Sequence, residues 1–227
     1  MKIKQNAFVL HRYLYKETSL ILICFTEYYG LVKLVANGAR SLRSNFRGIL
    51  QPFMPLIIYY GGKGNIKTLY KAEQISIIIP ITGNMIYGGL YFNELILKLI
   101  TYDCNHLIWF HKYLYFLKVL ASTNNSLKYV VCCFELSLLK YLGCDINLML
   151  KFNDNLENKN LYRYQIDNSF IITNKLDYFS FSYYELFNIA NFNFKNNKML
   201  DVARRFAKIV LTYYFGLKNI KSYIFIN

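Results

Sequence analysis

Residues 19–36 read Ser-Leu-Ile-Leu-Ile-Cys-Phe-Thr-Glu-Tyr-Tyr-Gly-Leu-Val-Lys-Leu-Val-Ala. Two runs rich in aliphatic and aromatic side chains, Ser19–Thr26 and Leu31–Ala36, flank the segment 27–30. Each run is too short for a typical helix, and β-branched and aromatic residues favour strands. Gly30 can adopt the positive φ that a tight turn requires. The stretch therefore predicts an antiparallel hairpin.

Similar short runs lie on either side of this hairpin. Ala7–Tyr13 precedes it, and Pro55–Tyr60 and Ile66–Gln74 follow it as a second hairpin around the glycine-rich segment 61–65. Five strands with an insertion between the third and the fourth are typical of a small Greek-key barrel of the OB type. The insertion, residues 37–50, is predicted to be a loop with a short helix. We therefore predict an α+β multidomain chain that begins with a five-stranded OB-fold barrel.

After Pro80 the apolar residues recur at intervals of three and four, the spacing of an amphipathic helix. This change predicts a boundary between an OB-fold domain in residues 1–80 and an all-α helical domain in residues 81–227. The Asn-rich stretch of about 148–177 predicts an irregular excursion, with a short hairpin at 162–173. Helices are predicted near residues 86–97, 107–121, 126–142 and 198–215, the last ended by Gly216, and a shorter one starts at the capping pair Ser182 and Glu185.

The charge balance is strongly basic. The chain has 27 Lys and Arg against 13 Asp and Glu, a formal net charge of +14. Residues 1–80 carry 11 basic and 3 acidic side chains, so +8 of that charge lies on about a third of the chain. Such an excess favours a polyanionic partner. Charge alone does not choose among nucleic acid, an anionic membrane surface, an acidic protein tail and a solvated surface without a ligand.

No arrangement of residues predicts catalysis. The sequence contains no Ser-His-Asp order, HExxH, GxSxG or recurrent DxD pattern, and residues 61–64 lack the spacing of a phosphate-binding loop. Cys104, His106 and His111 have no partner pair at zinc-site spacing. We predict that the chain is not an enzyme and has no catalytic residue, no metal and no cofactor.

The cysteines and the apolar segments bear on location. The five cysteines include no CxxC pair, which is typical of a reduced cytosolic protein. The first residues lack the apolar segment of a secretory signal, and no apolar run reaches the length of about 18 residues that a membrane helix needs. We expect a cytoplasmic protein without a membrane span.

The segment Asn37–Gly48 holds three arginines, two glycines and no acid. A guanidinium presents a planar fork that matches phosphate oxygens, so this segment predicts a track for a phosphate backbone beside the barrel. Exposed rings such as Phe46 or Tyr70 are predicted to stack on bases. A solvated loop is the alternative. The predicted DNA-binding side chains are Lys33, Arg40, Arg43, Arg47, Lys63, Lys67 and Lys71.

Short motifs over nearly the whole chain match those of a known family. They include Ala7-Phe8-Val9-Leu10, Glu17-Thr18-Ser19-Leu20, Gly38-Ala39-Arg40, Arg47-Gly48, Leu50-Gln51-Pro52-Phe53, Gly62-Lys63-Gly64, Gly89-Leu90-Tyr91, Phe134-Glu135-Leu136 and Ala203-Arg204-Arg205-Phe206. On these motifs the sequence resembles the RecO family of DNA repair and recombination mediators. The match is strongest before residue 95 and weakest from 148 to 198.

The resemblance implies an OB-fold domain followed by a helical domain, with a role after DNA damage in a bacterial cytoplasm, associated with the nucleoid during repair. It implies binding of single- and double-stranded DNA, strand annealing, and partnership with RecR. It also implies recognition of the acidic, hydrophobic-ended tail of single-stranded DNA-binding protein, and help in loading RecA on coated strands. Apart from the resemblance, a basic module that binds RNA or an anionic membrane surface, without a recombination role, remains the alternative.

The sequence departs from the family pattern at two places. The family has basic residues just before its Phe-Glu-Leu motif, where this chain has Cys132 and Cys133, which argues against docking of an acidic tail there. The cations predicted to take over that role are Arg204, Arg205 and Lys208. Some members of the family hold zinc with cysteines in the helical domain, whereas Lys151 to Thr173 contains none. We predict no zinc.

Overall fold

The computed structural model describes residues 2–75, 79–102, 104–122, 124–146, 160–165, 169–194, 196–216, 220 and 222. The chain divides into two compact units, residues 1–124 and 125–227. The boundary predicted at residue 80 coincides with the change from strands to helices. That it separates two domains stays a prediction.

Five strands form a closed barrel in the order β1-β2-β3-β5-β4. They are β1 (Ile3–Tyr15), β2 (Ser19–Thr26), β3 (Gly30–Ala36), β4 (Leu56–Gly61) and β5 (Ile66–Gln74). All neighbouring strands are antiparallel except β3 and β5, which are parallel. The predicted fold class, an OB-type barrel followed by helices, is confirmed.

The first strand is longer than predicted at both ends. Its start pairs with β4, from Ile3 opposite Tyr60, and its end pairs with β2, up to Tyr15 opposite Ser19. At its start Lys4, Gln5 and Asn6 are polar, so the apolar pattern does not reveal that section of the strand. Pairing with two different strands therefore extends β1 beyond its hydrophobic centre, Ala7–Leu10, which is buried.

Gly30 opens β3 with a φ of 59°, as predicted for the turn. It also lies against the segment that joins the first two helices of the chain. A Cβ at this position would lie 2.6 Å from the main-chain oxygen of Cys104 and 2.9 Å from that of Thr101. Both the backbone conformation and the close approach therefore require glycine.

The insertion at residues 37–50 is a series of turns, and the short helix predicted within it is wrong. Successive amides of Ser41, Ser44 and Arg47 donate to the carbonyl oxygens of the third residue before each, at 3.0 to 3.1 Å. The Ser44 hydroxyl also accepts from the Phe46 amide at 3.2 Å. Such local side-chain bonds compete with a helical ladder, which explains why the turns do not continue as a helix.

Two helices, α1 (Met85–Leu99) and α2 (Leu107–Ser122), complete the first unit. Asn93 donates to the main-chain oxygen of Leu10 at 3.1 Å and accepts from the Tyr113 hydroxyl at 2.6 Å. The Tyr113 ring also meets Phe8 edge-on, with centroids 5.2 Å apart. Because Tyr113 is wholly buried, the pKa of its hydroxyl is raised. A polar bridge inside an aromatic cluster thus fixes the helices on the barrel.

The second unit combines helices with a small sheet. Its elements are α3 (Leu127–Tyr141), β6 (Leu161–Gln165), β7 (Ser169–Thr173), β8 (Ser180–Ser182), α4 (Tyr183–Ala190) and α5 (Asn197–Phe215). The strands form an antiparallel sheet in the order β7-β6-β8, so the hairpin predicted at 162–173 is present and a third strand joins it. Residues 148–159 and 166–168 of the predicted excursion lie outside the described residues.

The helix ends in the second unit follow the predicted signals. Ser182 and Glu185 form a capping box at the start of α4. Gly216 ends α5 in the left-handed conformation, with a φ of 60°. None of the described helices combines the length and the apolar character that a membrane span requires.

Candidate nucleic-acid interface

The arginine loop, residues 37–50, is fixed at its start to the turn between β1 and β2. The Arg40 amide donates to the main-chain oxygen of Thr18 at 2.7 Å. The Arg40 guanidinium donates to the main-chain oxygens of Lys16, at 2.9 Å, and of Glu17. Arg40 is predicted to contact DNA, but its guanidinium N–H groups thus anchor the loop to the neighbouring turn.

The end of the arginine loop is anchored by Arg12, which is not among the residues predicted from the sequence. The guanidinium of Arg12, on β1, donates to the main-chain oxygen of Leu50 at 3.2 Å. The Leu50 side chain is buried in the barrel core. No local sequence signal reveals this contact, because its partners lie far apart in the chain. The loop is therefore held at both ends.

Between these anchors, Arg43 and Arg47 are exposed to solvent. Within the described part of the chain, neither guanidinium makes a hydrogen bond or an ion pair. Leu42 beside them is 82% exposed. An anchored backbone thus presents two uncompensated arginines.

A cleft of about 520 Å³ separates the arginine loop from β5. Its walls include Phe46 on the loop and Tyr70 and Lys71 on β5. Phe46 is partly buried and packs against the barrel core, whereas Tyr70 is 48% exposed. Of the two rings predicted to stack on bases, Tyr70 therefore has the more accessible surface.

Lys71 is partly compensated by a neighbouring carboxylate. Its ammonium lies 2.6 Å from Glu73. The hydrogen bond to Glu73 raises the pKa of Lys71, and hydrogen bonds from Lys71 and Tyr59 lower the pKa of Glu73. Both groups are therefore held in their charged forms at neutral pH.

The other three predicted cations of the barrel lie near the turn between β4 and β5. Lys63 is exposed at that turn. The Lys33 ammonium is 5.0 Å from the Tyr102 ring centroid, and that of Lys67 is 6.0 Å from the Tyr60 centroid. In the register of β3 and β5, Lys33 lies opposite Ile66 and Lys67 lies opposite the buried Leu34, so these two lysines project from opposite sides of the sheet.

The parallel pairing of β3 and β5 relates these lysines to the arginine loop. Lys33 pairs with Ile66 at one end of the seam, and Tyr70, four residues further along β5, lines the cleft beside the loop. Four residues of strand span about 13 Å. Lys33 and Tyr70 thus lie towards opposite ends of the seam, with Tyr70 and Lys71 beside the arginine loop.

The three cations of α5 that are predicted to bind an acidic tail lie in different environments. Arg204 is 5% exposed, and its Nε lies 3.6 Å from Oε2 of Glu135 on α3, which is also buried. An incoming acidic peptide cannot reach a guanidinium in this position. Arg204 is therefore part of the interior, and its prediction as a docking cation is corrected by its burial.

Arg205 and Lys208 lie closer to solvent. Arg205 donates to the main-chain oxygen of Ser180 at 3.0 Å, and its guanidinium lies 4.6 Å from the Phe181 ring centroid. Lys208 is exposed and lines a cleft of about 590 Å³ together with aromatic side chains that include Tyr178.

The histidines considered as metal ligands have local partners. Nε2 of His106 is 2.9 Å from the Thr101 hydroxyl, and Nε2 of His111 is 3.5 Å from Glu27. Over the described ranges, no group of three or more His, Cys, Asp or Glu side chains is arranged to hold a metal ion.

Comparison with known proteins identifies the family. The model of "Recombination protein O N terminal" matches residues 1–78, and that of "Recombination protein O C terminal" matches residues 82–155. A DNA repair protein RecO of Yersinia enterocolitica is 40% identical over 220 residues, which cover 96% of this chain and 91% of the relative. The chain belongs to the RecO family. A protein of the same name from Serratia proteamaculans is 40% identical over 96% of this chain and 90% of the relative. Another, from Yersinia pestis, is 38% identical over 96% of this chain and 91% of the relative.

Membership of the RecO family confirms the resemblance found in the sequence and assigns the chain to DNA repair. The match to the N-terminal RecO model spans the whole barrel, including the arginine loop and both lysine-bearing strands of the seam.

Cys132 and Cys133, which precede the Phe-Glu-Leu motif, carry no charge at neutral pH. Cys132 is buried, and desolvation raises its pKa well above the usual value. Cys133 is partly buried, and desolvation raises its pKa to about 11. Neither thiol can replace a cation for an acidic ligand.

Proposed function

We propose that the chain binds single- and double-stranded DNA through its barrel, promotes annealing of complementary strands, and helps load RecA on strands coated by single-stranded DNA-binding protein. The observation that carries the proposal is the pair Arg43 and Arg47, exposed and uncompensated on a loop anchored at both ends. Membership of the RecO family supports the same role.

The chemistry of the loop suits a phosphate backbone without regard to base sequence. Guanidinium groups contact phosphate oxygens, and such contacts position a nucleic acid but read no bases. Tyr70, half exposed beside Lys71, offers a ring on which any base can stack. Binding through these groups depends on charge and weakens with added salt.

The anchors contribute by fixing the loop before the ligand arrives. Arg40 and Arg12 hold the main chain at the two ends, so less conformational entropy is lost when Arg43 and Arg47 engage phosphates. Arg40 thus acts as a positioning residue, whereas Arg43 and Arg47 are the contacts.

Annealing requires no covalent step in this proposal. Two complementary strands repel each other through their phosphates, and a basic surface that neutralises part of this charge lets bases meet. No catalytic residue, cofactor or metal takes part. The protein works in the bacterial cytoplasm and associates with the nucleoid during repair.

The partners in the proposal are RecR and the acidic tail of single-stranded DNA-binding protein. The cleft beside Lys208 combines an ammonium with the aromatic rings of Tyr178, Phe179 and Tyr213, which suits an acidic peptide with a hydrophobic end. Replacing Lys208 by Ala should weaken binding of such a synthetic peptide, measured by fluorescence anisotropy. Replacing the exposed Lys175 by Ala is the matched control.

Annealing on coated DNA tests the proposed function. The chain should bind labelled single strands in gel shifts and speed the annealing of complementary strands precoated with single-stranded DNA-binding protein, with and without RecR. Flotation with anionic liposomes and binding to RNA of equal length are measured beside it. Binding to liposomes or RNA with no annealing of DNA would overturn the proposal in favour of another basic binding module.

A further inference from the structure

We propose that the barrel carries a second nucleic-acid contact surface, formed by β1, β4 and β5, on which Lys2 and Lys4 contact phosphates and Tyr59 stacks on a base. This proposal rests on the proposed function, because it concerns the same class of ligand. We call this surface the lysine–tyrosine face, defined by Lys2, Lys4, Tyr59, Tyr70 and Lys71.

The lysine–tyrosine face is built around a row of three residues in register on three strands. Lys4 of β1 pairs with Tyr59 of β4, which pairs with Lys71 of β5. Side chains directly opposite on paired strands share one side of the sheet. The ammonium groups of Lys4 and Lys71 lie 5.8 Å and 5.5 Å from the Tyr59 ring centroid. Tyr59 thus has a lysine beside it on each neighbouring strand.

A second pair extends the row. The Lys2 ammonium lies 5.6 Å from the ring centroid of Tyr70, which is half exposed. Lys2 and Lys4 are both exposed. Cations close to aromatic rings form the combination that binds single strands, since the ammonium meets phosphate while the ring meets a base.

The face points away from Lys33. In the closed barrel, β1 and β3 are two strands apart by the shorter route, so their outward side chains diverge by about 140°. Lys4 and Lys33 therefore cannot contact the same few phosphates. Lys71 and Tyr70 on β5 lie between them and also line the cleft of the arginine loop. The barrel thus carries cations on two sides, with Tyr70 and Lys71 between them.

One carboxylate on the face competes with the ligand. Glu73 accepts from Lys71 and from the Tyr59 hydroxyl, and these bonds keep it charged by lowering its pKa. A phosphate that approaches Lys71 must therefore displace or outweigh Glu73. Glu73→Gln should tighten binding of single strands, because it removes this competing negative charge.

The spacing of Lys2 and Lys4, two residues apart, places them on the same side of any strand. This spacing indicates a shared surface only if the strand extends to both lysines. Because apolar residues begin at Ala7, the sequence predicts a strand start that leaves both lysines out. The pairing of Ile3 with Tyr60 brings them onto the face.

The first experiment compares Lys2→Ala/Lys4→Ala with Lys112→Ala/Lys118→Ala in the full chain. The control removes the same charge from exposed positions of α2, and Lys112 also lies near an aromatic ring, that of Trp109, at 6.0 Å. The logarithm of the affinity for a labelled oligothymidylate is measured against the logarithm of the salt concentration. Loss of two phosphate contacts should lower the slope by about 1.4. The control should keep the slope of the unaltered chain.

The second experiment tests stacking with Tyr59→Leu and Tyr59→Phe. The leucine variant should lose about fivefold or more in affinity for the oligothymidylate, whereas the phenylalanine variant keeps the ring and most of the binding. Thermal unfolding and circular dichroism check that both variants fold. Lys2→Ala/Lys4→Ala serves as the independent variant should Tyr59→Leu fail to fold.

The outcomes separate this inference from the proposed function. If the unaltered chain binds no oligothymidylate, the proposed function fails first. If it binds, and Arg43→Ala/Arg47→Ala lowers the slope while Lys2→Ala/Lys4→Ala behaves as the control, the second surface is overturned and the proposed function stands.

Discussion

The guanidinium of Arg40 lies 2.9 Å from the main-chain oxygen of Lys16, in the turn that joins the first two strands of the barrel. A side chain from the arginine loop thus supports a neighbouring turn, and the turn in return fixes the loop. The contact distinguishes Arg40 from Arg43 and Arg47, which face solvent.

Arg40→Ala should lower the free energy of unfolding by about 1 kcal/mol, because it removes charge-assisted hydrogen bonds to main-chain oxygens. Arg43→Ala should change it by less than about 0.5 kcal/mol, as is usual for exposed side chains. Urea denaturation of the two variants measures both. Equal stability of the two variants would show that the Arg40 contacts do not support the loop.

Gly30→Ala should destabilise the chain by about 3 kcal/mol or more. The added Cβ is strained at this positive φ and would overlap the main-chain oxygen of Cys104. Gly38→Ala is the matched control, with a φ of 63° and no atom within 4 Å of its added Cβ. Gly38→Ala should lower the free energy of unfolding by about 1 kcal/mol. Thermal unfolding compares them, and an equal loss at both sites would contradict the close approach at Gly30.

Arg204→Ala should destabilise the chain by about 3 to 5 kcal/mol, because it leaves the buried carboxylate of Glu135 without its cation. The double variant Glu135→Leu/Arg204→Met should recover much of that loss, since replacing both charges by apolar groups is often neutral. Chemical denaturation of the single and double variants checks this. A double variant as unstable as Arg204→Ala would argue against a buried ion pair.

A thiol reagent at pH 8 should modify Cys104 before the other cysteines, because Cys104 is exposed. Burial raises the pKa of Cys24 to about 12 and that of Cys133 to about 11, and only the thiolate reacts. A raised thiol pKa means less thiolate at a given pH, so modification of Cys133 should speed up about tenfold per pH unit up to its pKa. Mass spectrometry of timed samples follows each site, and early labelling of Cys24 would contradict its burial.

Much of the barrel can be predicted from the sequence because its signals are local. The turn residues and the alternation of the strands lie within a few residues of one another, and Ser19–Thr26 and Ile66–Gln74 are observed with the predicted bounds. The prediction of a short helix was wrong because the Ser44 hydroxyl accepts a hydrogen bond from a nearby amide. Whether such a bond forms depends on the local backbone conformation, which residue types alone do not determine.

The roles of single arginines could not be predicted, because their partners lie far away in the chain. Arg40, Arg43 and Arg47 look alike in a basic loop, and only the neighbouring turn makes Arg40 an anchor. Arg204 is polar and was expected at the surface, the usual place for arginine. The carboxylate that allows its burial is on a different helix.

The salt dependence of single-strand binding by Arg43→Ala/Arg47→Ala tests most directly whether the arginine loop holds DNA by charge. We predict that the slope of log affinity against log salt falls by about 1.4 relative to the unaltered chain, as expected for two lost phosphate contacts. The control Lys112→Ala/Lys118→Ala should keep the slope. A slope for Arg43→Ala/Arg47→Ala equal to that of the unaltered chain would show that these two arginines do not contact phosphates.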